Sequence, residues 1–286
     1  MKDKEYQGAA PQEGHLDAAT INRYLPVAKE IAQQAGVLLL DEFQKPRHIE
    51  YKADGSTVTR ADRRSEEFLV DRLRTHFPQH AIVAEEGSGQ ETPSDYCWYV
   101  DPLDGTTNFA HGFPAFCVSV ALARGKEILI GVVHDPTRAE TFHAVRGEGA
   151  WLNQKRIHVS GTEKVGEGLF ATGFTALDRH SNENLFYYQR FSQGSHGVRR
   201  SGSAALDLCY VACGRLDGFW EFNLKPWDVA AGWLLVQEAG GVVSDLQGLP
   251  YSLNAKEITA SNGCLRHELL RVFSEVAEQV SRQKVS

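Results

Sequence analysis

Two periodicities divide the chain. Tyr24, Ala28, Ile31, Ala35 and Leu38 recur at spacings of four and three, the stripe of an amphipathic helix predicted to end near Phe43. Pro26 fits only the first turn of that helix or a break before it, and Pro46 closes the segment. Leu69, Leu73 and Phe77 form a second stripe, on a helix opened by Thr59 and Asp62 at capping-box spacing and stopped by Pro78. Short apolar runs then follow at 81–84, 96–100, 116–123, 128–133 and 141–145, with turn signals at Gly125-Lys126 and Asp135-Pro136. They predict an antiparallel meander that ends in a further turn and short strand over 147–153. Residue 101 precedes a proline, which favours extended geometry, so Asp101 is placed at the end of the 96–100 strand.

The second half alternates. Strand-like runs at 169–172, 216–222, 241–244 and 258–260 are interleaved with helical segments at 184–191, 203–213, 226–239 and about 267–280. Ser203 is the predicted N-cap of one helix, with Gly214 closing it. Pro226 and Asp228 open the next, and Gly240-Gly241 ends it. Helices first, then a meander, then strands alternating with helices is the order of a layered α/β protein.

Composition narrows the function without choosing it. At 286 residues, 42% hydrophobic and 23% charged, the chain has ordinary globular composition. A net charge of −7 and no long basic run disfavour nucleic acid as the main ligand, since a phosphate backbone needs a cationic face. Arg60, Arg63, Arg64 and Arg199-Arg200 read as solvated faces or local anion contacts. No apolar run reaches the ~18 residues of a membrane span, and residues 1–14 are polar, without the core of a signal peptide. The five cysteines are odd in number and lack a Cys-x-x-Cys pair, which predicts free thiols in a reducing compartment and a cytoplasmic protein.

The chemistry concentrates at 101–109. Asp101 and Asp104 stand three residues apart around a proline, and Gly105-Thr106 follows with backbone N–H groups predicted to be exposed. Carboxylates beside free N–H groups suit a divalent cation and a phosphate held together. By itself Asp-Gly is also an ordinary turn, Asp62 an ordinary helix cap, and Glu85-Glu86 an ordinary loop. What changes the balance is position. Glu85 and Asp101 follow predicted strands, Asp104 follows the turn, and Asp228 opens a helix, the places where α/β proteins build sites. All four donate oxygen, which selects Mg²⁺ or Mn²⁺ over zinc. Two such cations ~3.5–4 Å apart are a recurring device for phosphoester hydrolysis. His111, His134 and His143 lie among strands and are read as structural.

Asp101-Pro-Leu-Asp-Gly-Thr-Thr-Asn-Phe109 resembles the first signature of the inositol monophosphatase family, and Trp227-Asp-Val-Ala-Ala-Gly232 resembles the second. Ala84-Glu-Glu-Gly87 and Val58-Thr-Arg-Ala-Asp62 fall in the family's order, and the likeness covers about residues 20–275. The resemblance implies an α/β/α/β/α sandwich. It implies one catalytic domain over 16–286, with subdomains at about 16–165 and 166–286 and a flexible tail at 1–15. It assigns Glu85, Asp101, the Leu103 carbonyl, Asp104 and Asp228 to two or three Mg²⁺ ions, with Mn²⁺ as a substitute. Asp101 would bridge two of them. It assigns Gly105 and Thr106 N–H groups to the phosphate, and Thr106 paired with Asp62 to activation of the attacking water, with Glu85 alongside. Glu221, Ala204, Asp104 and Asp228 would meet the substrate. The implied activity is hydrolysis of inositol 1-phosphate or a similar small polyol or sugar phosphate by a lithium-sensitive homodimer. Two rivals are kept. One is the same chemistry on fructose 1,6-bisphosphate, histidinol phosphate, NADP or 3′-phosphoadenosine 5′-phosphate. The other is a regulatory binding protein on the same fold.

Overall fold

A computed structural model describes residues 18–45, 49–52, 55–89, 92–174 and 182–285. The tail expected at 1–15 lies outside the described residues, as do 90–91 and 175–181 in two of the loops. In chain order the elements begin with helix α1 (Ala18–Phe43), a hairpin of β1 (Ile49–Tyr51) and β2 (Thr57–Thr59), and helix α2 (Arg60–His76). Next come β3 (Ala81–Ala84), β4 (Tyr96–Asp104), the short helix α3 (Thr106–His111), β5 (Cys117–Arg124), β6 (Glu127–Asp135), β7 (Glu140–Val145), β8 (Gly149–Leu152) and β9 (Lys155–Ile157). The remainder is β10 (Leu169–Thr172), α4 (Asn184–Gly194), β11 (Gly197–Arg199), α5 (Ala204–Ala212), β12 (Gly218–Phe222), α6 (Pro226–Glu238), β13 (Val242–Ser244), β14 (Glu257–Ser261) and α7 (Arg266–Val285).

Strands β3 to β9 form one seven-stranded sheet in sequence order, parallel only between β3 and β4 and antiparallel from β4 onward. The second sheet has the order β11-β10-β12-β14-β13, which needs crossovers and therefore helices. Three apolar clusters fill the spaces between layers. The first packs α1 and α2 on one face of the large sheet. The second packs α5 and α6 between the two sheets, and the third packs α4 and α7 on the outer face of the small sheet. The result is the expected α/β/α/β/α sandwich. Strand β5 shows why both faces close: Val118, Val120 and Leu122 point to α1 and α2, while Cys117, Ala121 and Ala123 point to the central helices. Small residues on the second face let α6 approach. A Cβ at Gly131 would stand 2.8 Å from the Ala231 carbonyl oxygen, and one at Gly232 would stand 2.6 Å from Leu208 Cβ on α5.

Three sequence expectations need correction. Helix α1 begins at Ala18, so Pro26 is inside it and not in its first turn. The missing N–H costs one backbone bond, while Ala28, Ile31, Ala32, Ala35 and Leu39 are buried along the helix and keep it in place. Strand β4 runs through Asp101 to Asp104, with its ladder to β5 interrupted between those two residues. The Gly105-Thr106 turn opens a short helix. Strands β1, β2, β9 and β11 have three residues each, too few to give a readable alternation. Among the described residues no helix is long and apolar enough to cross a membrane, and all five cysteines are free.

Because α5 and α6 touch at Gly232, a Gly232→Val substitution overpacks the central layer. It is expected to cost about 1–3 kcal/mol, read as a lower urea midpoint with an unchanged slope.

Candidate active site

The sequence features that suggested chemistry meet at one end of the large sheet, where it faces the central helices. Strand β3 delivers Glu85, and β4 delivers Asp101, Leu103 and Asp104. Helix α6 brings Asp228 in its first turn, β12 brings Glu221, and α5 brings Ala204 in its first turn. All of these residues, with Gly105 and Thr106, line one cavity of about 310 Å³. A neighbouring hollow of about 540 Å³ shares Glu85, Gly105, Thr106, Phe174, Arg200 and Gly202 with it.

Each acid is fixed by local backbone chemistry. Asp101 Oδ1 accepts from the Leu103 N–H (3.0 Å), so Asp-Pro-Leu folds into a tight side-chain-to-backbone turn where the β4–β5 ladder breaks. Asp104 Oδ2 accepts from Ser203 Oγ (2.7 Å) and the Ala205 N–H (2.7 Å), which ties β4 to the start of α5. Ser203 also caps α5, accepting from the Leu206 N–H. Asp228 Oδ2 accepts from the Lys225 N–H (2.7 Å) at the start of α6. Lys52 Nζ donates to Glu85 Oε1 (2.8 Å) and to Glu86 Oε1 (2.5 Å). Gly105 has φ +97°, and a Cβ there would meet the Ala115 carbonyl oxygen at 2.8 Å, so the turn into α3 accepts only glycine.

Asp62 lies behind Thr106 and is fully buried. Its Oδ2 accepts from the Thr59 N–H (2.8 Å) and Thr59 Oγ1 (2.6 Å), while its Oδ1 faces Thr106 Oγ1 at 2.8 Å. One carboxylate therefore caps α2 and holds the threonine hydroxyl. Thr106 Oγ1 is also 3.1 Å from the Leu103 carbonyl oxygen.

The electrostatics are set by burial first and by mutual repulsion second. Burial pushes the carboxyl of Asp101 well above its ordinary range, and Glu85, Asp104 and Asp228 push it further. Asp228 is raised well above in the same way, with burial ahead of Asp104. Burial lifts Asp104 to about 6 against the bonds from Ser203 and Ala205. Burial also raises Asp62, against the bonds from Thr59 and Thr106. Cys117, whose Sγ is 3.9 Å from Asp104 Oδ2, is held neutral by burial and by that carboxylate, so it is not a thiolate nucleophile.

This donor set fits a hard divalent cation. It is all oxygen, it is buried at Asp101 and half-buried at Glu85, Asp104 and Asp228, and its members repel one another, with Lys52 bonded to Glu85 and Lys225 acting on Asp228 as positive charges. Among the described residues the carboxylates are not gathered closely enough to form a ready-made cation cage, and each accepts from a protein donor. His134 and His143 are in β6 and β7, with His134 Nδ1 3.0 Å from Thr141 Oγ1, and neither His134, His143 nor His111 lines the cavity.

Sequence reasoning missed three participants. Asp207 lines the cavity, and its signal was a lone acid in the otherwise apolar run of α5. Lys52 had no periodic or motif signal. Asn108 Nδ2 donates to the carbonyl oxygens of Ala115 and Ser201 (both 2.7 Å), joining α3 to the loop before α5. It sat inside the 101–109 motif but had been given no role.

A sequence model described as "Inositol monophosphatase family" matches residues 21–281. An inositol-1-monophosphatase of Synechocystis is 43% identical over 261 residues, covering 89% of this chain and 90% of its own. A Nus factor SuhB of Pseudomonas aeruginosa is 44% identical over 246 residues, covering 83% and 91%. The solved inositol monophosphatase of Anabaena superposes with a TM-score of 0.81 at 39% identity, covering 90% of this chain and 97% of that one.

The acid cluster gives a stability signature. A carboxyl with a raised folded pKa keeps its full stability below the unfolded value and loses it as pH rises through the folded value. For Asp104 that window runs from 3.8 to about 6, and Asp101 and Asp228 extend it upward. Metal-free protein in a chelator is therefore expected to melt lower at pH 7.5 than at pH 5, and Asp101→Asn is expected to flatten that slope.

Proposed function

The chain belongs to the inositol monophosphatase family, and from that premise we propose that it is a Mg²⁺-dependent phosphomonoesterase acting on inositol 1-phosphate or a similar small polyol or sugar phosphate. The observation that carries the reading is the meeting of Glu85, Asp101, Asp104 and Asp228 around one cavity that also holds Thr106, with Asp62 directly behind it. Glu85, Asp101, the Leu103 carbonyl, Asp104 and Asp228 would hold the cation, with Mn²⁺ as a possible replacement. When bound, it supplies positive charge for the phosphate oxygens and the departing alkoxide, and it acidifies water.

The remaining steps belong to the chain's own groups. The N–H groups of Gly105 and Thr106 receive phosphate oxygens, as backbone donors at a helix start do. Thr106 Oγ1 takes a proton from the attacking water and passes its own to Asp62 Oδ1, 2.8 Å away. Asp62 is suited to this because burial raises its basicity, while Thr59 holds only Oδ2 and leaves Oδ1 for Thr106. Glu221 accepts hydroxyls of the leaving alcohol, and Ala204 leaves room for its ring. Positioning and charge neutralisation carry the reaction, as they do in phosphoryl transfer generally.

The Pseudomonas relative's name, Nus factor, supports the rival of a regulatory binding protein on the same fold. Retention of every acid together with Thr106 supports hydrolysis. The other superfamily substrates share this chemistry and differ only beyond the acid wall.

The test is phosphate release with Mg²⁺ from inositol 1-phosphate, fructose 1,6-bisphosphate, histidinol phosphate, NADP and 3′-phosphoadenosine 5′-phosphate. Release from inositol 1-phosphate that a chelator stops is the expected result; no release from any ester would overturn the reading. Thr106→Ala and Asp62→Asn should each lower kcat by roughly 10²–10⁴. Because the two act as one unit, the double variant should fall little further than the worse single.

A further inference from the structure

Opposite the four acids stands a second pair that the proposed chemistry uses only by half. Glu221 on β12 is 7% exposed and Asp207 on α5 is 1% exposed, and both line the cavity. Among the described residues no hydrogen bond reaches the Glu221 carboxylate, although it is more than nine-tenths buried. Gly173, also in the cavity wall, stands against it: a Cβ there would meet its carboxylate at 2.2–2.4 Å. Asp207 sits one turn along α5 from Ala204, and its Oδ1 accepts from Ser201 Oγ at 2.7 Å. Its other oxygen has no bond among the described residues, and no cation pairs with either acid. Arg200 acts on Glu221 only at longer range, while Asp207 and Glu221 lie close enough to repel each other.

Acceptor oxygens that open into the wall of a site and have no protein donor are placed to take donors from a ligand. The cation-type acids, by contrast, each lean on a protein donor. We propose that Asp207 is a specificity-determining residue that works beside Glu221, the two carboxylates receiving hydroxyls from different carbons of the leaving alcohol. The inference rests on the phosphatase reading above and deepens it. The preferred substrate is then a phosphate monoester of a polyol with neighbouring free hydroxyls, and not a simple alkyl or aryl phosphate. A site with buried acceptors rejects analogues that lack the matching hydroxyls, because the acceptors are then left bare.

The bland role for Asp207 is anchoring of the 201–203 loop through Ser201. Asp207→Asn separates the two roles. An amide oxygen still accepts from Ser201 Oγ, so the anchor is kept, but the second position becomes a donor and no longer accepts a hydroxyl. The assay compares inositol 1-phosphate with 4-nitrophenyl phosphate, at saturating Mg²⁺, on wild type and variant. The expected result is a kcat/KM for the inositol ester lowered roughly 10–100-fold in Asp207→Asn, mostly in KM, with the aryl ester changed less than about twofold. Equal losses on both esters would make Asp207 a structural anchor, and no loss on either would remove it from recognition; each overturns the proposal. If the variant does not fold, Ser201→Ala decides, because it removes the anchor and leaves both Asp207 oxygens to accept hydroxyls: kcat/KM for the inositol ester is expected to stay within about threefold of wild type, and a loss of more than about tenfold on both esters would make Asp207 a structural anchor and overturn the proposal. Wild type inactive on every ester would instead defeat the phosphatase reading itself.

Discussion

Everything in this molecule is arranged so that carboxylates that repel one another are kept close together. Asp101 is buried and Asp104 and Asp228 are half-buried; Glu85 raises the pKa of all three, Asp104 adds to that of Asp101 and Asp228, and Asp228 adds to that of Asp101. Such a set is unfavourable alone, since burial and like charge both oppose ionisation. The fold holds it by attaching every member to backbone that is fixed for other reasons. Asp101 closes onto Leu103 where the β4–β5 ladder breaks, Asp104 ties to the start of α5, and Asp228 turns back onto Lys225 at the start of α6. A bound cation would relieve that repulsion. Binding energy and site geometry are in this sense one property.

The central layer makes that possible. Helices α5 and α6 approach each other and the large sheet through Gly131 and Gly232, which leave no room for a side chain. Close approach brings the first turns of both helices to the end of β4. The helix starts carry Ser203, Ala204 and Asp228, so the spacing of the site is inherited from packing far from the chemistry. Thr106 and Asp62 are linked in the same manner. The carboxylate that closes the start of α2 also holds the hydroxyl at the start of α3, so the proposed proton relay stays in register with the layer of α1 and α2.

Much of this was legible in the chain because short-range rules were obeyed. Apolar periodicity placed α2, β3 to β7 and the alternating second half. Ser203 and Pro226 marked helix starts that the structure shows. The acids at element ends stood out because charged residues after apolar runs are uncommon. What stayed hidden depends on tertiary contact. Pro26 was read as a helix start, yet core packing on either side carries α1 through it. Lys52 reaches Glu85, 33 residues away, only through the folded arrangement of the chain. Asp207 sits in an apolar helix and looks like an outlier until α5 is placed against the cavity. The three-residue strands β1, β2, β9 and β11 exist through their partners and have no pattern of their own.

The proposed chemistry requires the acid wall to be a cation site. Titration calorimetry of Mg²⁺ into metal-free protein at neutral pH, with Asp101→Asn in parallel, examines that requirement. Saturable binding of more than one Mg²⁺ per chain is expected in the wild type, with its loss, or reduction to a weaker single event, in the variant. Absence of binding at millimolar Mg²⁺, or identical binding by the folded variant, would contradict it.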